Sequence, residues 1–287
     1  MKEISLSQKP VSLGLEKMLV YLFLIFLTVL CVIPFVIMLI NASRQSSEIV
    51  KGFSFIPGSS FMDNLRNLLK DENIPVVRGL FNSVFISGCC AILCTYFSAM
   101  TAYGIFTYNF KGKKFAFNFI MVVMMVPTQV SALGFIRLMM KMNLMDTFFP
   151  LIIPAIAAPV VFFFMMQYMQ SVLPLEIVES ARVDGANEFL TFNRIVVPIL
   201  KPAVALQAIF AFVANWNNYF MPALIINSKE NKTIPILIAQ LRSADYMKFD
   251  MGKVYMLIVV AIIPLVIVYL ILSRYIIRGV TMGSVKG

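Results

Sequence analysis

Two polar clusters interrupt an otherwise apolar chain. The first, between Glu176 and Pro202, carries Glu176, Glu179, Arg182, Asp184, Glu188 and Arg194. Charges at that density belong outside lipid, where they can grip a water-soluble partner. The second holds Gln207, Asn215, Trp216, Asn217, Asn218 and Tyr219 within an apolar stretch. Amides at membrane depth bond to neighbouring helices or line a wet cavity. Together with an aromatic face they supply the hydrogen bonds and stacking that a neutral sugar needs. Other chemistry is thin. There is no histidine, which removes the commonest general base, metal ligand and pH switch. Cys31, Cys89, Cys90 and Cys94 lie inside apolar runs without zinc spacing and read as small packing residues. No Gly-x4-Gly-Lys-Ser/Thr loop occurs, so the chain is expected to have no ATP site and no cofactor of its own.

These clusters must be positioned by membrane spans. The chain has 287 residues and is 60% hydrophobic, with a mean hydropathy of +0.87, well above a soluble domain. Its apolar runs reach the roughly 20 residues that cross a bilayer as helix, whereas barrel strands alternate over about ten. The expected fold is all-α and polytopic, with about six spans near Met18–Ile40, Phe81–Tyr108, Phe115–Phe135, Phe148–Met169, Ala203–Ile226 and Val254–Ser273. No repeat or linker divides residues 1–287, so one domain is expected. The net charge of +10 suits span-flanking residues that meet anionic lipid, not nucleic acid. The first apolar run is too long for a signal-peptide core and reads as an uncleaved anchor.

Lys and Arg are balanced between the two sides of the membrane. However, Lys111, Lys113 and Lys114 crowd a short loop without acids, and Arg274, Arg278 and Lys286 end the chain likewise. Such short basic segments stay in the cytoplasm. This places both termini, the 109–114 loop and the loop at about 170–201 inside, and the 227–252 loop outside. Near 61–70, Leu65, Leu68 and Leu69 share a helical face and suggest a short helix on the membrane or on neighbouring protein.

The 170–201 loop reads as a helix-turn-helix. Pro174 suits a first turn, and Glu176 and Glu179 lie on one face. Asp184-Gly185 signals a turn. Asn187 can cap a second helix to about Val197, with Glu188 in its first turn. Pro198 and Pro202 return the chain to the membrane. Ala181, Gly185 and Ala186 leave room for close approach, while Glu179, Arg182 and Asp184 offer charged contacts.

Residues 179–198 resemble the coupling loop of permease subunits in binding-protein-dependent ABC importers. The signature there is Glu-Ala-Ala, three residues, Gly, about nine residues, Ile, one residue, Leu-Pro. Glu179, Ser180, Ala181, Gly185, Ile195 and Pro198 fall on that frame, with Ser180 for the central alanine and Val197 for leucine. The resemblance extends from about Gly79 to Gly287 and is to sugar importers. It includes Phe81-Asn82-Ser83, the Ser98–Tyr103 stretch with Phe110–Lys113, Val126-Pro127-Thr128-Gln129, Asn143–Thr147 and Asn215–Tyr219, although an acid is commoner at Asn218. The tail Arg274–Gly287 is similar to that of MalG-like subunits of maltose-type transporters.

The resemblance implies a sugar-importer permease subunit in the bacterial cytoplasmic membrane. It implies a distinct second permease, two ATPase subunits or domains that bind ATP and magnesium, and an extracytoplasmic sugar-binding protein. It assigns ATPase coupling to Glu179, Ser180, Ala181, Asp184, Gly185, Ala186 and Pro198. Asn215, Trp216, Asn217, Asn218 and Tyr219 become candidates for the substrate pathway, although in the maltose-type family the partner permease makes most membrane sugar contacts. The residues beyond Asn227 would reach the binding protein. The alternative, an ion-coupled secondary transporter, would carry buried acids and usually a repeat. An intramembrane enzyme would need a histidine, metal frame or acid pair.

Overall fold

The computed structural model describes residues 12–243 and 250–283. Helix α1 (Ser12–Ala42) is apolar on every face and mostly exposed, as expected of a helix that meets lipid or another membrane chain. Outside the membrane, α2 (Ser46–Val50) and α3 (Phe61–Leu69) pack on the bundle. Leu68 is fully buried there and Leu69 is exposed, so α3 lies on neighbouring protein. Helix α4 (Val76–Thr107) follows as an unbroken span. At 1.5 Å per residue it is about 48 Å long.

Prolines explain where the other spans depart from the sequence reading. The third was expected to run unbroken from Phe115 to Phe135. Instead α5 (Lys113–Met124) and α6 (Thr128–Lys141) meet at 95°. Pro127 has no N–H to donate and forces Val126 out of helical geometry. The fourth is assembled from α7 (Phe149–Ile152), a 3₁₀ turn at Ile153–Ile156 and α8 (Pro159–Val172). Pro150, Pro154 and Pro159 each fall at the start of one of these pieces.

Beyond α8 the chain forms the expected hairpin: α9 (Leu175–Val183), then α10 (Glu188–Thr191), a π turn at Phe192–Val196 and α11 (Val197–Ile199). An 81° bend at Leu200 leads into α12 (Lys201–Trp216), between Pro198 and Pro202 as anticipated. The fifth span was expected to reach Ile226. It ends at Trp216, and α13 (Phe220–Ile225) continues after a break at 217–219. The 227–252 segment, read as a loop, contains α14 (Ile234–Arg242), whose Ile234 and Leu237 are buried. Residues 244–249 of that segment lie outside the described residues. Helix α15 (Met251–Gly283) completes the fold, and Ser284–Gly287 of the family-like tail also lie outside the description. Four helices are long and apolar enough to cross a membrane, or six spans if each bent pair is one. No strand occurs among the described residues.

Three apolar clusters follow one another along α4. At its N-terminal end, Val76 joins Leu68, Ile234, Leu237 and Leu257. In the middle, Ala91 and Cys94 meet Phe212 and Trp216. At its C-terminal end, Ala99, Ala102 and Tyr103 pack with Phe162, Met165, Val178, Phe192 and Val196. Helix α4 therefore touches the hairpin at one end and the α3 and α14 segments at the other.

Candidate functional site

The hairpin is built from its caps. Pro174 stands one place before the first turn, at the cap of α9. Gly185 takes φ +80°, a left-handed conformation that favours glycine. Its amide donates to the Arg182 carbonyl at 3.0 Å, and the Ala186 amide to the Ala181 carbonyl at 3.0 Å. This pair of bonds closes the helix C-terminus as a Schellman motif. Asn187 Oδ1 then accepts from the Leu190 amide at 2.8 Å, opening α10.

One face of the hairpin packs inward. Val178 is fully buried and Ala181 is 7% exposed. Ala181 therefore does not offer the open approach expected of it, because its position on α9 faces the bundle. Glu176, Glu179, Ser180, Asp184, Gly185 and Pro198 are exposed, and Ala186 is half-buried. Between them stand two apolar side chains that charge-based reading overlooked: Val183, 88% exposed, and Phe189, 69% exposed. An exposed apolar patch rimmed by polar residues is one feature of protein-docking faces. The signal lay in their spacing, since neither fits the buried stripe of Val178, Ala181 and Phe192.

Arg182, expected to meet a partner, is committed internally. Its Nε donates to Glu188 Oε1 at 2.6 Å, and its guanidinium lies 5.1 Å above the Tyr108 ring. Tyr103 Oη donates to Glu188 Oε2 at 2.5 Å. Tyr96 Oη donates to Asn193 Oδ1 at 3.2 Å. The Arg182 guanidinium, ahead of a smaller opposing effect of burial and with further help from Tyr103, holds the Glu188 carboxyl below its usual range. Glu188 thus ties both helices of the hairpin to the C-terminal end of α4. Nearby, Lys113 Nζ donates to the Phe106 and Tyr108 carbonyls at 3.2 and 3.1 Å, closing the C-terminus of α4.

Within the membrane region, a cavity of about 580 Å³ opens between α4, α6, the broken fourth span and α12. Gln207, Asn215 and Asn218 line it, joined by Thr128 and Ser131 from just beyond the Pro127 bend. Asn215 Nδ2 donates to the Ala211 carbonyl at 2.8 Å. The other members of the Asn215–Tyr219 stretch are not among the lining residues. Trp216 is buried and stacks on Phe212 with ring centres 5.8 Å apart. Asn217 and Tyr219 are exposed elsewhere. Helical period explains the division, since adjacent residues point about 100° apart.

At the opposite end of the bundle from the hairpin, Asp146 adopts φ +59° and its Oδ1 accepts from the Asn227 and Ser228 amides, each at 2.9 Å, and from Ser228 Oγ at 3.0 Å. Burial would raise this carboxyl, but these bonds outweigh it and hold it below its ordinary value. Asn82 Nδ2 donates to the Glu230 and Lys232 carbonyls at 2.8 and 3.0 Å, and Ser83 Oγ accepts from the Ile234 amide at 2.8 Å. Residues 227–234 are thus fastened to α4 and to the 143–147 turn. No group of three or more potential metal-binding side chains occurs among the described residues.

A family model described as binding-protein-dependent transport system inner membrane component matches residues 91–282. The chain is 34% identical over 272 residues to the arabinooligosaccharides transport system permease protein AraQ of Bacillus subtilis, covering 93% of this chain and 94% of that one. It is 26% identical to the trehalose/maltose transport system permease protein MalG of Thermococcus litoralis, covering 95% and 98%. A crystal structure of a bacterial ABC transporter involved in the import of the acidic polysaccharide alginate contains a chain of the same fold. The TM-score is 0.78 at 19% identity, covering 96% of this chain and 99% of that one.

Proposed function

The chain belongs to the family of binding-protein-dependent transport system inner membrane components, and we propose that it is the permease subunit of an ATP-driven importer of a saccharide. In this reading it spans the bacterial cytoplasmic membrane as one domain with both termini inside. It pairs with a distinct second permease, receives substrate from an extracytoplasmic sugar-binding protein, and docks one of two ATPase subunits or domains. ATP and magnesium reside on the ATPase. This chain carries out no chemical step and holds no cofactor.

The observation that carries the reading is the hairpin at 174–199. Its outward face combines Glu179, Asp184 and Gly185 with exposed Val183 and Phe189, and its inward face is bolted to α4 through Glu188. A docking surface that is rigid with respect to the spans can pass ATPase closure to them as displacement. Helix α4 carries that displacement to Asn82 and Ser83, which hold the outer 230–234 segment. An ion-coupled carrier would place acids within its spans, and the span interiors of this sequence contain no Asp or Glu.

The test is site-directed crosslinking. A Val183→Cys variant, in a background lacking the four native cysteines, is expected to crosslink to the ATPase subunit of the purified complex. Efficient crosslinking from Leu133 on the exposed face of α6 but none from Val183 would contradict the assignment.

A further inference from the structure

We propose that the wedge between the C-terminal end of α3, the first turns of α4 and Lys229 is a lipid site. It holds the phosphodiester headgroup of an anionic membrane phospholipid, with an acyl chain laid along α4. The proposal goes beyond the permease reading and needs only that α4 spans the membrane. A cavity of about 850 Å³ opens there, within the range of small-molecule sites, about 300–1,000 Å³. Three cations line it: Lys70, Arg78 and Lys229. None of them forms an ion pair among the described residues. Arg78 spends its Nε on the Glu230 carbonyl at 3.3 Å, which leaves its two Nη groups for a ligand. Two acids also line the cavity, Asp71 and Glu72. Asp71 is already answered, because Lys253 Nζ donates to its Oδ2 and the Asn73 amide to its Oδ1, each at 3.0 Å. Burial works against that carboxylate, but Lys253 leads the bonds and charges that outweigh it and hold it below its ordinary value. Glu72 alone is left against three cations, so the cavity attracts an anion.

The apolar wall identifies the kind of anion. Arg78, Phe81 and Phe85 recur at i, i+3 and i+7 and share one face of α4. Val77 is 71% exposed and Phe81 66% exposed. Phe81 stacks on Phe85 with ring centres 6.2 Å apart, and Phe85 meets Phe148 at 6.3 Å. The strip from Arg78 to Phe85 is about 10 Å long. A free phosphate would use the cations and leave this aromatic strip bare. A phospholipid uses both, since its phosphodiester meets the cations and the upper methylenes of a chain cover the strip. A guanidinium fork matches two phosphate oxygens, and basic pockets beside membrane helices bind anionic headgroups. Charge followed by apolar surface along α4 is also the profile of the bilayer. The hydrocarbon core is about 30 Å thick, shorter than this helix of about 48 Å, so the end turns of α4 can stand at headgroup level.

The experiment places p-benzoylphenylalanine at position 81 of the assembled complex, in nanodiscs of phosphatidylcholine with increasing phosphatidylglycerol, and identifies the photoproduct by mass spectrometry. A phosphatidylglycerol adduct is expected, saturating well before its mole fraction in the disc does. Arg78→Gln and Lys229→Gln are each expected to raise the fraction that gives half-maximal adduct about fivefold, the effect of one cation at a lipid surface. Arg78→Lys gives up the Nε bond to Glu230 and keeps the charge, and is expected to stay within about twofold of wild type. Adducts that show no preference for phosphatidylglycerol over phosphatidylcholine, or equal yields in wild type and both glutamine variants, would overturn the site. An adduct to the second permease or the binding protein in place of lipid would overturn it too, because protein would then cover this face. Failure of lysine to restore what glutamine removes would show that Arg78 acts through Glu230 and not on a headgroup. In each case the permease reading stands.

Discussion

The contact between Glu188 and α4 admits a quantitative test. Glu188→Ala removes the acceptor of the Tyr103 hydroxyl, whose residue is 4% exposed, and the ion-pair partner of Arg182. A buried hydroxyl left without a partner costs about 1–3 kcal/mol. The Arg182–Glu188 pair has side chains 34% and 38% exposed, so solvent screening holds its share to below about 1 kcal/mol. Together these weaken the seating of the hairpin by about 2 kcal/mol, a roughly thirtyfold rise in the detached population. Glu188→Gln retains an oxygen for Tyr103 and loses mainly the charge, so its effect is expected to stay near about 1 kcal/mol. Because the Glu188 carboxyl is held below its ordinary value of 4.5, its contribution is fully present above that pH and is lost as pH falls through the lowered value. Hydrogen exchange at the 182–196 amides, measured on the intact complex, reads the detachment. Uptake per ATP hydrolysed reads its consequence. Glu188→Ala is expected to speed exchange and to lower that ratio while hydrolysis continues. Wild-type protection together with a wild-type uptake ratio in this variant would refute the idea that Glu188 seats the hairpin.

Gly185→Ala meets no atom within 4 Å and is expected to cost only the roughly 1–2 kcal/mol of a left-handed backbone, whereas Gly185→Trp adds bulk to the docking face and is expected to abolish stimulated hydrolysis and uptake; equal behaviour of the two variants would show that bulk there is irrelevant. Asp146→Ala deletes three hydrogen bonds to residues 227 and 228 and is expected to speed hydrogen exchange at those amides and weaken stimulation by the binding protein, with Asp146→Asn close to wild type; unaltered exchange in the alanine variant would deny the latch. For topology, Lys229→Cys is expected to label only from outside the cell and Lys111→Cys only from the cytoplasm, and reversal of the two would overturn the orientation.

The broad architecture was legible in the sequence because bilayer thickness fixes span length and a polar hairpin cannot sit in lipid. The hairpin turn was also legible, since Gly185 acts through its own backbone and Asn187 caps with its side chain an amide only three residues on. What lay beyond reach depends on tertiary contacts. Arg182 reads as a solvent-facing charge until Tyr103 and Glu188, far apart in sequence from one another, are brought together. Ala181 reads as an open docking position until α9 is laid on the bundle. The prolines at 127, 150, 154 and 159 were visible, but whether each would kink or break a span depended on neighbours able to satisfy the freed carbonyls. The cavity owes its shape to those breaks, so Thr128 and Ser131 gave no signal as lining residues from their types alone.

The most direct test of the central claim is uptake by proteoliposomes holding the purified complex, with binding protein and saccharide on the outer side and ATP enclosed on the hairpin side. ATP-dependent accumulation that a protonophore does not abolish, and that Gly185→Trp eliminates, is the predicted result. Accumulation driven by a proton or sodium gradient with no ATP present would contradict it.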